Sequence, residues 1–71
     1  MSNGPREQMT FGDTIRVARK RRGWSQMDLA EQAGVSRPTI ARIEANRDVT
    51  TATVAKITQA LGLTLELRDR G

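Results

Sequence analysis

Cysteine and histidine are both absent from the 71 residues. Without thiols there is no disulfide, no thiolate metal site and no redox switch. Without imidazole, the commonest general base and the commonest metal ligand are missing. Among the acidic residues, Asp13, Asp28, Glu31, Glu44, Asp48, Glu66 and Asp69 are scattered, and most serines and threonines stand where helices should begin. No catalytic constellation results, so neither an enzyme nor a metal or cofactor site is expected. No apolar run approaches the length of a membrane span, and no secretory signal is visible. A cytoplasmic protein with no membrane partner is the expectation. The length allows one small domain with a marginal core, which must lean on caps, helix packing or a partner subunit.

What is present is positive charge, a formal +4. Arg16, Arg19, Lys20, Arg21 and Arg22 stand close together, and Arg37, Arg42 and Arg47 follow. This placement, more than the modest surplus, favours a polyanionic partner.

The centre of the chain is Gln26–Glu44, QMDLAEQAGVSRPTIARIE. Leu29, Ala30 and Ala33 share one face of a first short helix. Ile40 and Ile43, at i and i+3, share one face of a second. Gly34 between them suits a left-handed helix stop. Ser36 reads as the N-cap of the second helix, and Pro38 fits its first turn, where an amide hydrogen is not needed. Two short helices joined by a glycine turn predict a helix-turn-helix.

Around this core the helical pattern continues. Thr10 and Asp13 have capping-box spacing at the start of a first helix. Phe11, Ile15 and Ala18 are its expected core stripe, basic residues fill its last turn, and Gly23 ends it. Trp24 precedes the cap Ser25, with Leu29 at N4, and Val35 stands likewise to Ser36 and Ile40. Both pairs have hydrophobic-staple spacing. Thr50 should cap a fourth helix, Thr51–Leu61, with Val54, Ile57, Ala60 and Leu61 inward and Gly62 as its stop. Leu63, Leu65 and Leu67 then alternate with Thr64, Glu66 and Arg68, a strand pattern with one apolar face. A lone strand cannot satisfy its own backbone, so pairing with the same strand of a second subunit across a two-fold axis is expected, the alternatives being a disordered tail or an extended segment folded back on its own domain. The expected organisation is a disordered tail over residues 1–9, a helix-turn-helix domain over 10–62, a dimerisation strand over 63–68 and a frayed end over 69–71. The fold class is all-α, four short helices with one C-terminal β-strand.

Ser25, Gln26, Leu29, Ala30, Ala33, Gly34, Val35, Ser36, Thr39, Ile40, Ile43 and Glu44 together resemble the helix-turn-helix of the phage-repressor family of Cro/C1 type, also called the XRE family. The resemblance runs from about Phe11 to Gly62. It implies a lambda-repressor-like fold that binds duplex DNA, with the second helix of the motif in the major groove. The matching DNA-binding positions are Gln26, Ser36, Arg37, Pro38, Thr39, Arg42, Asn46 and Arg47. Arg37 and Arg42 offer guanidinium forks suited to guanine, and their alternatives are phosphate contact or a solvated charge. Pro38 departs from the polar residues common at its position, and either touches a thymine methyl or stiffens the turn. Thr39 can meet a base or a phosphate. Gln26 matches a phosphate-contacting glutamine, and Asn46 and Arg47 are further phosphate candidates. Asn46 stands where glycine is frequent, and tolerates a left-handed backbone. Arg19 and Glu44 match a structural ion pair between the first helix and the end of the recognition helix.

The resemblance implies a homodimeric repressor on a palindromic operator, in a bacterial or phage cytoplasm and associated with the nucleoid. A C-terminal strand in place of a fifth helix is similar to the HipB-like antitoxins. That implies a second reading, in which a protein toxin is a further partner. A protein-interaction module without DNA binding is the third.

Overall fold

The computed structural model describes residues 9–63. These form four helices, α1 (Phe11–Arg21), α2 (Gln26–Ala33), α3 (Arg37–Glu44) and α4 (Thr51–Ala60). Each begins on a hydroxyl side chain that accepts a backbone N–H three residues on: Thr10, Ser25, Ser36 and Thr50. At α1 the Asp13 carboxylate reaches back to the Thr10 N–H at 3.2 Å, completing a capping box. Asp28 does the same for Ser25 at 2.8 Å. Aspartate is short for this role, yet its charge also suits the positive end of the helix dipole. Pro38 lies in the first turn of α3. Gly34 stops α2 with φ +73°, the left-handed region in which a Cβ would be strained. The fourth helix closes at Ala60, with Leu61 as its C-cap.

The core is Ile15 from α1, Leu29 and Ala30 from α2, Ile40 and Ile43 from α3, and Ile57 with Leu61 at the end of α4. Trp24, Val35, Val54 and Leu63 pack against it from the periphery. Helix α2 packs on both α3 and α4, and α1 packs on α3. Helix α3 is therefore held between α1 and α2.

Phe11 does not join the core stripe. It is 39% exposed, whereas its neighbour Gly12 is buried. A Cβ on Gly12 would lie 2.5 Å from the Glu44 carbonyl oxygen and 2.8 Å from that of Ile43. The start of α1 thus meets the end of α3 backbone to backbone. Adjacent helical residues lie about 100° apart, so pointing Gly12 at α3 turns Phe11 away from it.

Asn46 takes φ +61°, the one non-glycine left-handed residue among those described. Its Oδ1 accepts the Gly12 N–H at 2.9 Å and its Nδ2 donates to Thr10 Oγ1 at 3.1 Å. One side chain therefore joins the turn after α3 to the start of α1.

No strand occurs among the described residues. Leu63 is half-buried against the core, and Leu65 and Leu67 lie outside the described residues. So do residues 1–8 of the expected tail and the expected end at 69–71. No helix of the described region is long and apolar enough to cross a membrane.

Candidate nucleic-acid interface

Helix α3 has two unlike faces. Ile40 and Ile43 are buried, and Glu44 beside them is only 6% exposed. Arg37, Pro38 and Arg42 are exposed on the other side, as is the cap Ser36, while Thr39 is half-buried. The inward isoleucines leave the basic side chains of this helix outside. The Ser36 and Thr39 hydroxyls bond each other at 2.8 Å, and Thr39 N donates to Ser36 Oγ at 3.3 Å.

Glu44 closes α3 beneath this face. Its carboxylate takes a two-pronged contact from Arg19, with Nε at 2.6 Å from Oε2 and Nη2 at 3.0 Å from Oε1. Arg19 is itself only 8% exposed and gives its remaining nitrogen, Nη1, to the Trp24 carbonyl at 2.9 Å. A planar guanidinium suits this task because its donors are fixed in the geometry of a carboxylate.

Gln26 connects the buried pair to the exposed face. Its Nε2 donates to Glu44 Oε1 at 3.2 Å, and its Oε1 accepts from Arg37 Nη1 at 2.9 Å. It is half-buried in the first turn of α2, directly after the Ser25 cap. Arg37, Gln26, Glu44 and Arg19 thus form one hydrogen-bonded chain across three helices.

Asn46 and Arg47 are exposed beyond the end of α3. The Arg47 backbone N–H donates to Arg42 O at 2.9 Å. Asn46 spends its side chain on α1, as described above.

The basic cluster of α1 divides. Arg16 pairs with Asp13 one turn back. The Asp13 carboxyl is held below its ordinary range, first by the Thr10 backbone N–H, then by the Thr10 hydroxyl, with Arg16 adding to the effect. Arg22 donates to the Leu61 carbonyl at 2.8 Å and lies 5.2 Å from the centre of the Trp24 ring. It ties α1 to the end of α4 and stacks on an aromatic face. Lys20 and Arg21 are exposed.

Several of these features escaped the sequence reading. The Ser25–Asp28 box was open to it, since the spacing matches that of Thr10 and Asp13. The Gly12 contact, the clasp by Asn46 and the joint between Gln26 and Glu44 carry no local signal. Thr58, 5% exposed and bonded to the Ala55 carbonyl at 3.1 Å, is a buried polar residue that the pattern of α4 does not reveal.

The helix-turn-helix domain family profile matches residues 10–71. The antitoxin HipB of Escherichia coli K12 is 38% identical over 60 residues, which is 83% of this chain and 68% of that protein. Among solved structures, a chain of the HipA–HipB–O2–O3 complex superposes with a TM-score of 0.74 at 30% identity, over 92% of this chain and 99% of that one. A hypothetical transcription factor from Neisseria superposes with a TM-score of 0.70 at 31% identity, over 76% of this chain and 62% of that one.

Proposed function

This chain belongs to the XRE-type helix-turn-helix family of non-enzymatic DNA-binding regulators, and from that premise we propose that it is a homodimeric, sequence-specific repressor acting on a palindromic operator. The observation that carries this reading is the two-sided recognition helix. Ile40 and Ile43 anchor α3 from within, while Arg37 in its first turn and Arg42 in its last turn are both exposed. A guanidinium there can fork onto guanine O6 and N7 in the major groove. Gln26 and Arg47 are assigned to the phosphates, Asn46 only through the second N–H of its amide, Ser36 and Thr39 to a base or a phosphate, and Pro38 either to a thymine methyl or to stiffening the turn. Arg19 and Glu44 orient the helix from beneath.

The dimer is assigned to the C-terminal segment. Val17, Ala18, Met9 and Leu63 line an open groove on the far side of α1. Val17 and Met9 are exposed there, and the leucines of a second subunit's segment would cover them. Leu63, Leu65 and Leu67 supply that cover in an isologous two-stranded ribbon, with the recognition helices roughly 34 Å apart, one turn of DNA. Selection on random duplex DNA tests the reading. A palindromic site with half-sites one turn apart is expected, and truncation after Gly62 should yield a monomer with sharply weaker binding. Binding without sequence preference, or a truncated chain that still dimerises, would overturn it.

A second reading rests on the likeness to HipB, an antitoxin. The repressor would then also bind a protein toxin and autoregulate its operon. Co-purification with the product of an adjacent kinase-like gene separates the two readings. A protein-interaction module without DNA binding would show as no salt-sensitive shift of any duplex.

A further inference from the structure

Gln26 is joined to a buried acid on one side and to an exposed arginine on the other. Its Nε2 faces Glu44 at 3.2 Å and its Oε1 faces Arg37 at 2.9 Å. An ionised carboxylate only accepts hydrogen bonds, and a guanidinium only donates them. Flipping the Gln26 amide would set oxygen against oxygen at Glu44 and donor against donor at Arg37. Both neighbours therefore enforce the same orientation. Glu44 cannot turn to suit another one, because Arg19 grips both of its oxygens.

From this geometry we infer that Glu44, acting through the Gln26 amide, is a positioning residue for Arg37 and so helps set base preference at the contact Arg37 makes. The inference rests on the reading of Arg37 as a base-contacting residue. Held by Gln26, the Arg37 guanidinium loses rotamer freedom before DNA arrives, so less ordering remains to oppose binding. The valence of the amide leaves room for its other role. Gln26 has two N–H donors and uses one on Glu44, so the second remains for a phosphate. Gln26 can then contact the backbone and steer a base-reading side chain at once. A buried ion pair between α1 and α3 is thereby linked to sequence readout at the opposite end of α3.

Two substitutions break the relay at different points. Gln26→Met keeps a long side chain and removes both hydrogen bonds. Glu44→Gln supplies an amide in place of an obligate acceptor, so the Gln26 amide can turn and present its nitrogen to Arg37. In the free protein, nitrogen relaxation at the Arg37 Nε–H reports the order of this side chain. High order is expected in the unmodified protein and lower order in both variants. On DNA, the selected site and its single-base variants are compared by affinity. Arg37→Ala should level the preference at one base pair, a loss of roughly tenfold or more. Gln26→Met and Glu44→Gln should each lower the preference several-fold at that same pair and leave the others as they are.

A pure phosphate contact behaves differently, since its loss weakens all sequences alike. Uniform weakening in Gln26→Met with unchanged Arg37 order would overturn the relay. So would a folded Glu44→Gln protein with unchanged order and preference. Should Glu44→Gln fail to fold, Gln26→Met still decides, because Gln26 lies outside the core. Absence of duplex binding by the unmodified protein would overturn the reading of the site itself, whereas duplex binding with intact preference in the variants would overturn the relay alone.

Discussion

Gly12→Ala should destabilise this protein although alanine is the better helix former. Gly12 is in the first turn of α1 with an ordinary helical backbone, so alanine gains about 1 kcal/mol of intrinsic helix propensity. Against this stands the packing. The new methyl carbon would lie 2.5 Å from the Glu44 carbonyl oxygen, 2.8 Å from its carbon and 2.8 Å from the Ile43 carbonyl oxygen. All three are backbone atoms at the end of α3, so no side chain can rotate out of the way. Reaching ordinary contact requires α1 and α3 to part by roughly 1 Å, and such overpacking costs about 1–3 kcal/mol. The shift also stretches the 2.9 Å bond from Gly12 N to Asn46 Oδ1, adding about 1 kcal/mol. The net expectation is a loss of about 1–3 kcal/mol, the packing and hydrogen-bond terms less the propensity gain. For a domain this small each kcal/mol lowers Tm by about 4–8 °C. Thermal and urea unfolding followed by circular dichroism measure both. A Tm equal to or above that of the unmodified protein would refute the contact, because propensity alone would then have decided the outcome.

Other expectations concern the polar joints. Arg19→Met or Glu44→Gln alone should each destabilise more than the double change does, since one partner stays buried and unpaired, at about 3–5 kcal/mol for a fully buried pair. A double-mutant cycle by thermal unfolding tests this, and strict additivity would mean that the two do not interact. Asn46→Ala should lower Tm more than Asn46→Gly: both lose the side-chain bonds to Gly12 and Thr10, but glycine keeps the left-handed backbone without strain. Equal losses would remove the backbone from the account. Asp13 has its folded carboxyl pKa held below the unfolded 3.8, so its cap contributes stability that is complete above that value and fades as the pH falls through the folded pKa. The Tm gap between Asp13→Ala and the unmodified protein should accordingly be widest near neutrality and shrink in acid; a gap independent of pH would assign the effect to packing instead.

The helices were legible because their punctuation is local. Thr10, Ser25, Ser36 and Thr50 were each readable as caps, and glycines at 23, 34 and 62 as stops, from neighbours within a turn. Phe11 shows where such reading fails. Its spacing to Ile15 and Ala18 fits a helical face, but the phase of α1 is set by Gly12, which has no hydropathy to register. The clasp by Asn46 spans 34 and 36 residues to its two partners, and no periodicity reaches that far. Its tolerance of a left-handed turn was readable; its grip on α1 was not. The contact between Arg19 and Glu44 spans 25 residues and was anticipated only through family likeness. The links of Gln26 to Arg37 and Glu44 had no precursor in the pattern, because hydrogen-bond partners across helices depend on packing angles.

These long-range contacts concentrate at the C-terminal end of α3. Its N-terminal end has Ser36 as cap and Val35 against the core. Its C-terminal end is fixed by Arg19 on Glu44, by the close approach of Gly12, and by Asn46 in the following turn. A short helix of eight residues has little stability of its own, so its direction must come from such anchors. Bidentate contact with a base tolerates little displacement, because both hydrogen bonds must form in one plane. If α3 reads bases as proposed, an anchor that moves it by an ångström affects readout even when the domain stays folded. Gly12→Ala lies far from Arg37 along the chain and at the opposite end of α3. If the anchors fix the aim of the helix, this variant should lose affinity for the selected site beyond what its unfolded fraction explains. Full affinity in the folded fraction would instead mean that α3 can realign on DNA, and that its anchors serve stability alone.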